Sequence, residues 1–134
     1  MLGDLIGEEQ GQRTAFRVVS VDGGHPHVEV SFASTGTLLG VAVEDMGTYD
    51  AVMQADGTVF GDGQGCSMTQ DGDIVTWHGT GIGRPNGSGG FSYRGSIFWE
   101  SASAKFSQLN GTAGVFEYEE DKDGRNTAKV WEWK

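Results

Sequence analysis

A histidine, an arginine and a carboxylate can act together as base, anion anchor and acid. This chain offers His78, Arg94 and Asp62 in three successive segments of the same alternating type. An imidazole titrates near ~6.5 unless its surroundings shift it, so His78 suits proton transfer at neutral pH. Glu117, which alternates with Phe116 and Tyr118, is a second candidate base with Arg94 as its partner. His78, Arg94 and Glu117 are therefore the expected catalytic residues, and Asp62, Gln64, Tyr49 and Tyr93 the expected ligand contacts. The competing expectation is that one face of an antiparallel sheet is solvated, and polar side chains on it need no further role.

Other chemistries fit poorly. Cys66 has no neighbour in sequence that would lower its pKa, which makes it a packed or idle thiol rather than a nucleophile. His25 and His27 flank Pro26, and no third or fourth ligand follows at metal-binding spacing, so no metal site is expected. Gly61-Asp62-Gly63-Gln64-Gly65 and Gly79-Thr80-Gly81-Ile82-Gly83 lack both the dinucleotide spacing and the Lys-Ser/Thr ending of a phosphate loop. Asp121-Lys122-Asp123-Gly124 fails the calcium-loop pattern and reads as a turn. No cofactor is expected.

The elements that must position these residues are strands. With 23 glycines and two prolines, the composition disfavours long helices. From Gln12 onward, β-branched and aromatic runs are separated by Asp22-Gly23-Gly24, Asp56-Gly57, Asp71-Gly72, Asn86-Gly87 and Asp123-Gly124, which supply the positive φ of tight hairpins. Strands are predicted near 13–22, 27–34, 37–44, 49–54, 58–69, 73–83, 90–100, 112–119 and 127–133. The first ten residues form either a further strand or a short helix. Ala102, Phe106 and Leu109 fall at helical spacing, so a short helix is predicted within 101–110, placed to plug a barrel end. Gly61, Gly63 and Gly65 share one face of their strand, as do Gly79, Gly81 and Gly83 with Val75 and Trp77 on the next. Glycines stacked on one face let a sheet curl, and large rings such as Trp77 would fill the space they leave. The fold class is all-β: a closed antiparallel up-and-down barrel of about eight to ten strands over 1–134, with Ala128–Trp133 as the closing strand.

The balance of 9 Lys plus Arg against 19 Asp plus Glu, a net charge of -10, opposes binding to nucleic acid or an anionic membrane surface. No stretch is apolar enough for a membrane helix, which takes about 20 apolar residues. One cysteine and a start without a basic, apolar leader predict a soluble, cytoplasmic protein.

The run Phe106-Ser107-Gln108-Leu109-Asn110-Gly111-Thr112-Ala113-Gly114-Val115-Phe116 resembles the closing region of the allene oxide cyclase, dirigent and related lipocalin-like barrels. The chain also resembles a group of small uncharacterised bacterial and archaeal proteins through Gly47-Tyr49, Gly61-Gly65 and Leu109-Glu119. The resemblance implies an antiparallel barrel of eight or slightly more strands, often oligomeric, whose apolar lumen takes a small molecule. It implies no particular activity and carries over no catalytic residue. Three functions follow as expectations: binding of a small apolar or amphipathic molecule in the lumen, a cyclase or isomerase using the same cavity, or a structural subunit of a homo-oligomer.

Overall fold

Eight strands follow one another around the molecule: β1 (Leu2–Ser20), β2 (His27–Leu38), β3 (Val41–Met53), β4 (Val59–Met68), β5 (Ile74–Pro85), β6 (Phe91–Glu100), β7 (Gly114–Glu120) and β8 (Arg125–Trp133). Each pairs antiparallel with its sequence neighbours, and β8 returns to β1, closing the barrel. The computed structural model describes residues 2–134.

The turns follow from backbone chemistry. Asn86 Oδ1 accepts from the Ser88 and Gly90 backbone N–H groups at 3.0 and 3.1 Å, holding the β5–β6 turn while Gly87 takes φ 83°. Asp121 Oδ1 does the same for Asp123 and Arg125 in the β7–β8 turn. The β2–β3 turn falls elsewhere than the sequence suggests. Both Leu39 and Gly40 have positive φ, 51° and 76°, the geometry of a two-residue hairpin. That turn splits the strand predicted over 37–44, and β3 runs unbroken through 45–48, where a gap was expected. Leu39 is an unusual residue for such a backbone, which is why composition hid the turn. The first ten residues are strand: from Leu2 they run along β8, with Leu2 opposite Trp133 and Gln12 opposite Arg125.

The predicted short helix is a 3₁₀ segment, Ala104–Gly111, capped by Ser103, whose Oγ accepts from the Lys105 N–H at 3.3 Å. Phe106 and Leu109 are both 0% exposed and pack on Ile6, Leu38, Val75 and Trp99, so the segment plugs one barrel end. Ala102, expected on the same face, lies before the cap and is exposed.

Alternation decides which side chains enter the barrel. The inner wall carries Val30, Phe32 and Ser34 from β2, Val43, Asp45 and Gly47 from β3, and Trp77 from β5. A Cβ at Gly47 or at Gly65 would lie 2.5 Å from Trp77 Cζ2, so only glycine at both positions lets the indole lie flat across β3 and β4. Past Gln12, β1 outruns β8 and pairs only with β2, forming an overhang on which Phe16 and Val18 are exposed.

Candidate functional site

The flattened indole has a chemical consequence. Trp77 Nε1 reaches across β4 and donates to Asp45 Oδ1 at 2.8 Å, and Ser67 Oγ donates to the same oxygen at 3.1 Å. Asp45 is 6% exposed, and an ionised carboxylate so far from water is tolerated only with donors around it. A further partner is Glu9, brought inward by the alternation Gly7, Glu9, Gly11 on β1 and hydrogen-bonded to Asp45. Burial, then the charge of Asp45 and the hydrogen bond to it, push the Glu9 carboxyl up to about 9. Burial raises Asp45 as well, opposed by hydrogen bonds from Glu9, Trp77, Ser67 and the Met46 backbone. With its carboxyl raised to about 9, Glu9 carries a proton at neutral pH and can donate it to Asp45 in their hydrogen bond.

A second buried carboxylate, Glu120, lies among tyrosines. Tyr49 OH donates to Glu120 Oε2 at 3.0 Å, and Arg13 Nη1 approaches Oε1 at 3.5 Å. Burial raises the Glu120 carboxyl, while the Tyr49 bond and Arg13 oppose the rise. Burial also raises all three phenols, Tyr93 to about 12, so they stay neutral donors. The rings of Tyr49, Tyr93 and Tyr118 meet edge to face at 5.8–6.0 Å. Among the described residues, the buried Asn126 Nδ2 finds no hydrogen-bond partner, and the buried Tyr118 OH has none beyond a loose contact with Tyr49. An unmet buried polar group costs about 1–3 kcal/mol, so a polar atom brought to either would be stabilising.

Between these side chains lies a cavity of about 110 Å³. Glu9, Asp45 and Ser67 form its polar wall, aromatic rings form most of the rest, and Gly61, Gly63, Gly79 and Gly81 leave the room. No lysine, arginine or histidine is among the described residues that line it. Nor do three His, Cys, Asp or Glu side chains come together among the described residues in a group able to hold a metal.

The residues singled out in the sequence divide between the two faces. Tyr49 and Tyr93 point inward and line the cavity. His78 and Asp62 do meet, Nε2 to Oδ1 at 2.7 Å, but their side chains are 63% and 52% exposed on the outer wall. Arg94 pairs with Glu119 at 2.9 Å and Glu117 at 3.8 Å, also outside, and Gln64 is exposed beside them. The polar face is thus the outer one, and His78, Arg94, Glu117 and Gln64 lie away from the lumen, while Asp62 is among the residues lining the cavity although its carboxylate pairs with His78 on the outer wall. Glu9, Asp45 and Glu120 are functional candidates that residue type and spacing did not single out. The signal was present, since each is a carboxylate alternating with glycine or aromatic residues: Gly7-Glu9-Gly11, Val43-Asp45-Gly47 and Phe116-Tyr118-Glu120.

The fold defines the class, a closed antiparallel eight-stranded barrel with one plugged end. No protein-family model matches the chain, and no curated protein matches it. Solved structures match in shape. A protein of unknown function from Clostridium acetobutylicum superposes with TM-score 0.84 at 10% identity, covering 98% of each chain. A β-barrel-like protein from Acinetobacter baumannii gives TM-score 0.84 at 12% identity, over 100% of this chain and 96% of the other. A structure described as an enzyme from Penicillium herquei gives 0.71 at 10% identity, over 96% and 92%. At such identities the likeness shows the fold alone. Among the described residues no helix is long and apolar enough to cross a membrane.

Proposed function

We propose that this barrel binds one small, largely apolar molecule in its lumen, with a polar end set against the Glu9–Asp45 pair. The observation that carries the reading is the cavity itself: about 110 Å³ of space walled by rings, with polar groups concentrated at one place. Apolar walls with a few fixed polar groups are the usual make-up of a ligand site. An engineered cavity of ~150 Å³ takes benzene, so a molecule somewhat smaller fits here. Proton-transfer chemistry of the cyclase or isomerase type is the second reading. It is favoured by two hydrogen-bonded carboxyls beside the cavity, both raised by burial, a common arrangement for acid–base work. The resemblance of the last half of the chain to allene oxide cyclase and dirigent barrels supports it, as does the description of one structural neighbour as an enzyme. In that reading Glu9 takes the part expected of His78.

Butanone in heavy water tests both readings in one proton NMR experiment. Saturating the aromatic signals should transfer saturation to butanone, and the transfer should vanish in Gly79→Val, whose side chain would fill the space, provided that variant keeps its cooperative melt. No transfer with the parent protein would sink the lumen reading. Exchange of the butanone α-protons above the buffer rate, lost in Glu9→Gln, would favour catalysis; exchange equal to buffer would leave binding alone.

A further inference from the structure

Resting on the lumen reading, we propose that the molecule held there is a small organic cation, a primary ammonium of about five heavy atoms on an apolar stem, with its nitrogen seated against Glu9 and Asp45. The charge inventory of the wall argues for it. Three acidic residues line the cavity, Glu9, Asp45 and Asp62, the last with its carboxylate turned to His78, and no cationic side chain among the described residues lines it, so Glu9 and Asp45 meet only hydrogen-bond donors. An anion placed there would meet Asp45 unshielded in a medium of low permittivity. A neutral molecule would leave the pair as it is. An ammonium gains the attraction of the carboxylates and displaces the proton that Glu9 carries, which leaves to solvent, so charge balances.

The rest of the wall suits the same ligand. Phe32 and Trp77 stack at 6.1 Å between centroids, and Tyr49, Tyr93 and Phe116 complete an aromatic surround. Ring faces attract cations, more strongly where water is excluded. Tyr118 lines the same cavity and adds a further ring to that surround. The net charge of -10 raises the local concentration of cations around the whole molecule. The interior groups that titrate are Glu9, Asp45, Glu120 and the three tyrosines, with Arg13 beside Glu120. Of these only Glu9 and Asp45 are within reach of the proposed nitrogen and change charge below the pKa of an alkylamine.

The test is calorimetric titration of the protein with n-butylammonium, n-butanol and butyrate, three probes of nearly equal size and different charge. A ligand of five heavy atoms binds at roughly micromolar strength at best. The expected result is butylammonium about tenfold or more tighter than butanol, and butyrate unbound. The heat should differ between buffers of different ionisation enthalpy because a proton is released, and affinity should rise with pH toward about 9, where Glu9 ionises unaided. In Glu9→Gln the proton release should vanish, and in the double variant Glu9→Gln/Asp45→Asn the preference for butylammonium should collapse while butanol still binds. Butanol bound as tightly as butylammonium would overturn the inference and leave the lumen reading standing. No binding of any probe would overturn both. A preference that survives in the double variant would place the cation elsewhere and equally overturn it.

Discussion

Glu9 is the residue whose chemistry departs furthest from its ordinary behaviour. Its carboxyl ionises near 4.5 when solvated and near 9 in the fold. The folded state therefore keeps a proton that the unfolded chain releases. Stability is undiminished below about pH 4.5, falls as pH rises toward about 9, and is level beyond. Glu9→Gln keeps an N–H donor toward Asp45 and removes the ionisation. At about pH 8 its melting temperature should exceed the parent's by about 4 °C or more, whereas at about pH 4 the two should melt together. Circular-dichroism melts across that range decide it, and a parent whose melting point does not fall with pH would show that Glu9 is not held protonated in the fold. None of this followed from residue type. The sequence contains many carboxylates, and the two that matter stand out only when alternation is followed along strands whose ends were misplaced.

At the scale of elements, the plug was legible because its signal is local: Phe106 and Leu109 are three residues apart on one face of a short helix. Its energetic weight is a tertiary matter, since both side chains are fully buried beneath the barrel end. Phe106→Ala should cost about 3–5 kcal/mol in urea unfolding. Phe98→Ala, on the outer wall with its side chain 54% exposed, should stay within about 1 kcal/mol of the parent. Equal losses from the two would mean that the 3₁₀ segment does not seal the barrel. Most hairpins were legible for the same reason, because Asp-Gly and Asn-Gly pairs announce a positive φ. The β2–β3 turn was not, since its first positive-φ residue is Leu39.

For the molecule as a whole, closure matters most. β8 covers the β1 edge from Leu2 to Gln12 and the edge of β7, so each half of the seam protects the other. A chain ending at Arg125 would expose both edges, and open edges recruit further strands. Such a chain should lose its cooperative melt and elute from gel filtration as large aggregates. A sharp melt in that truncated chain would show that the sheet is stable without being closed.

Residue types and their spacing are enough for an all-β chain, an antiparallel order of strands set by glycine-bearing turns, a curled wall with glycines stacked on one face, and a short helix with two buried anchors. These are local properties, encoded within a few residues of each other. Which face is the lumen is settled by packing across the barrel. Alternation has a period of two and reads the same from either side, and the choice was made by volume: a tightly curved inner wall has room for glycines and a few rings, while His78, Arg94 and Glu117 keep their hydration outside. Only the tertiary structure brought Glu9 from β1, Asp45 from β3 and Trp77 from β5 to one place. Their meeting depends on barrel closure and on the bare backbone at Gly47 and Gly65 beneath the indole, relations across the barrel that no spacing along the chain records.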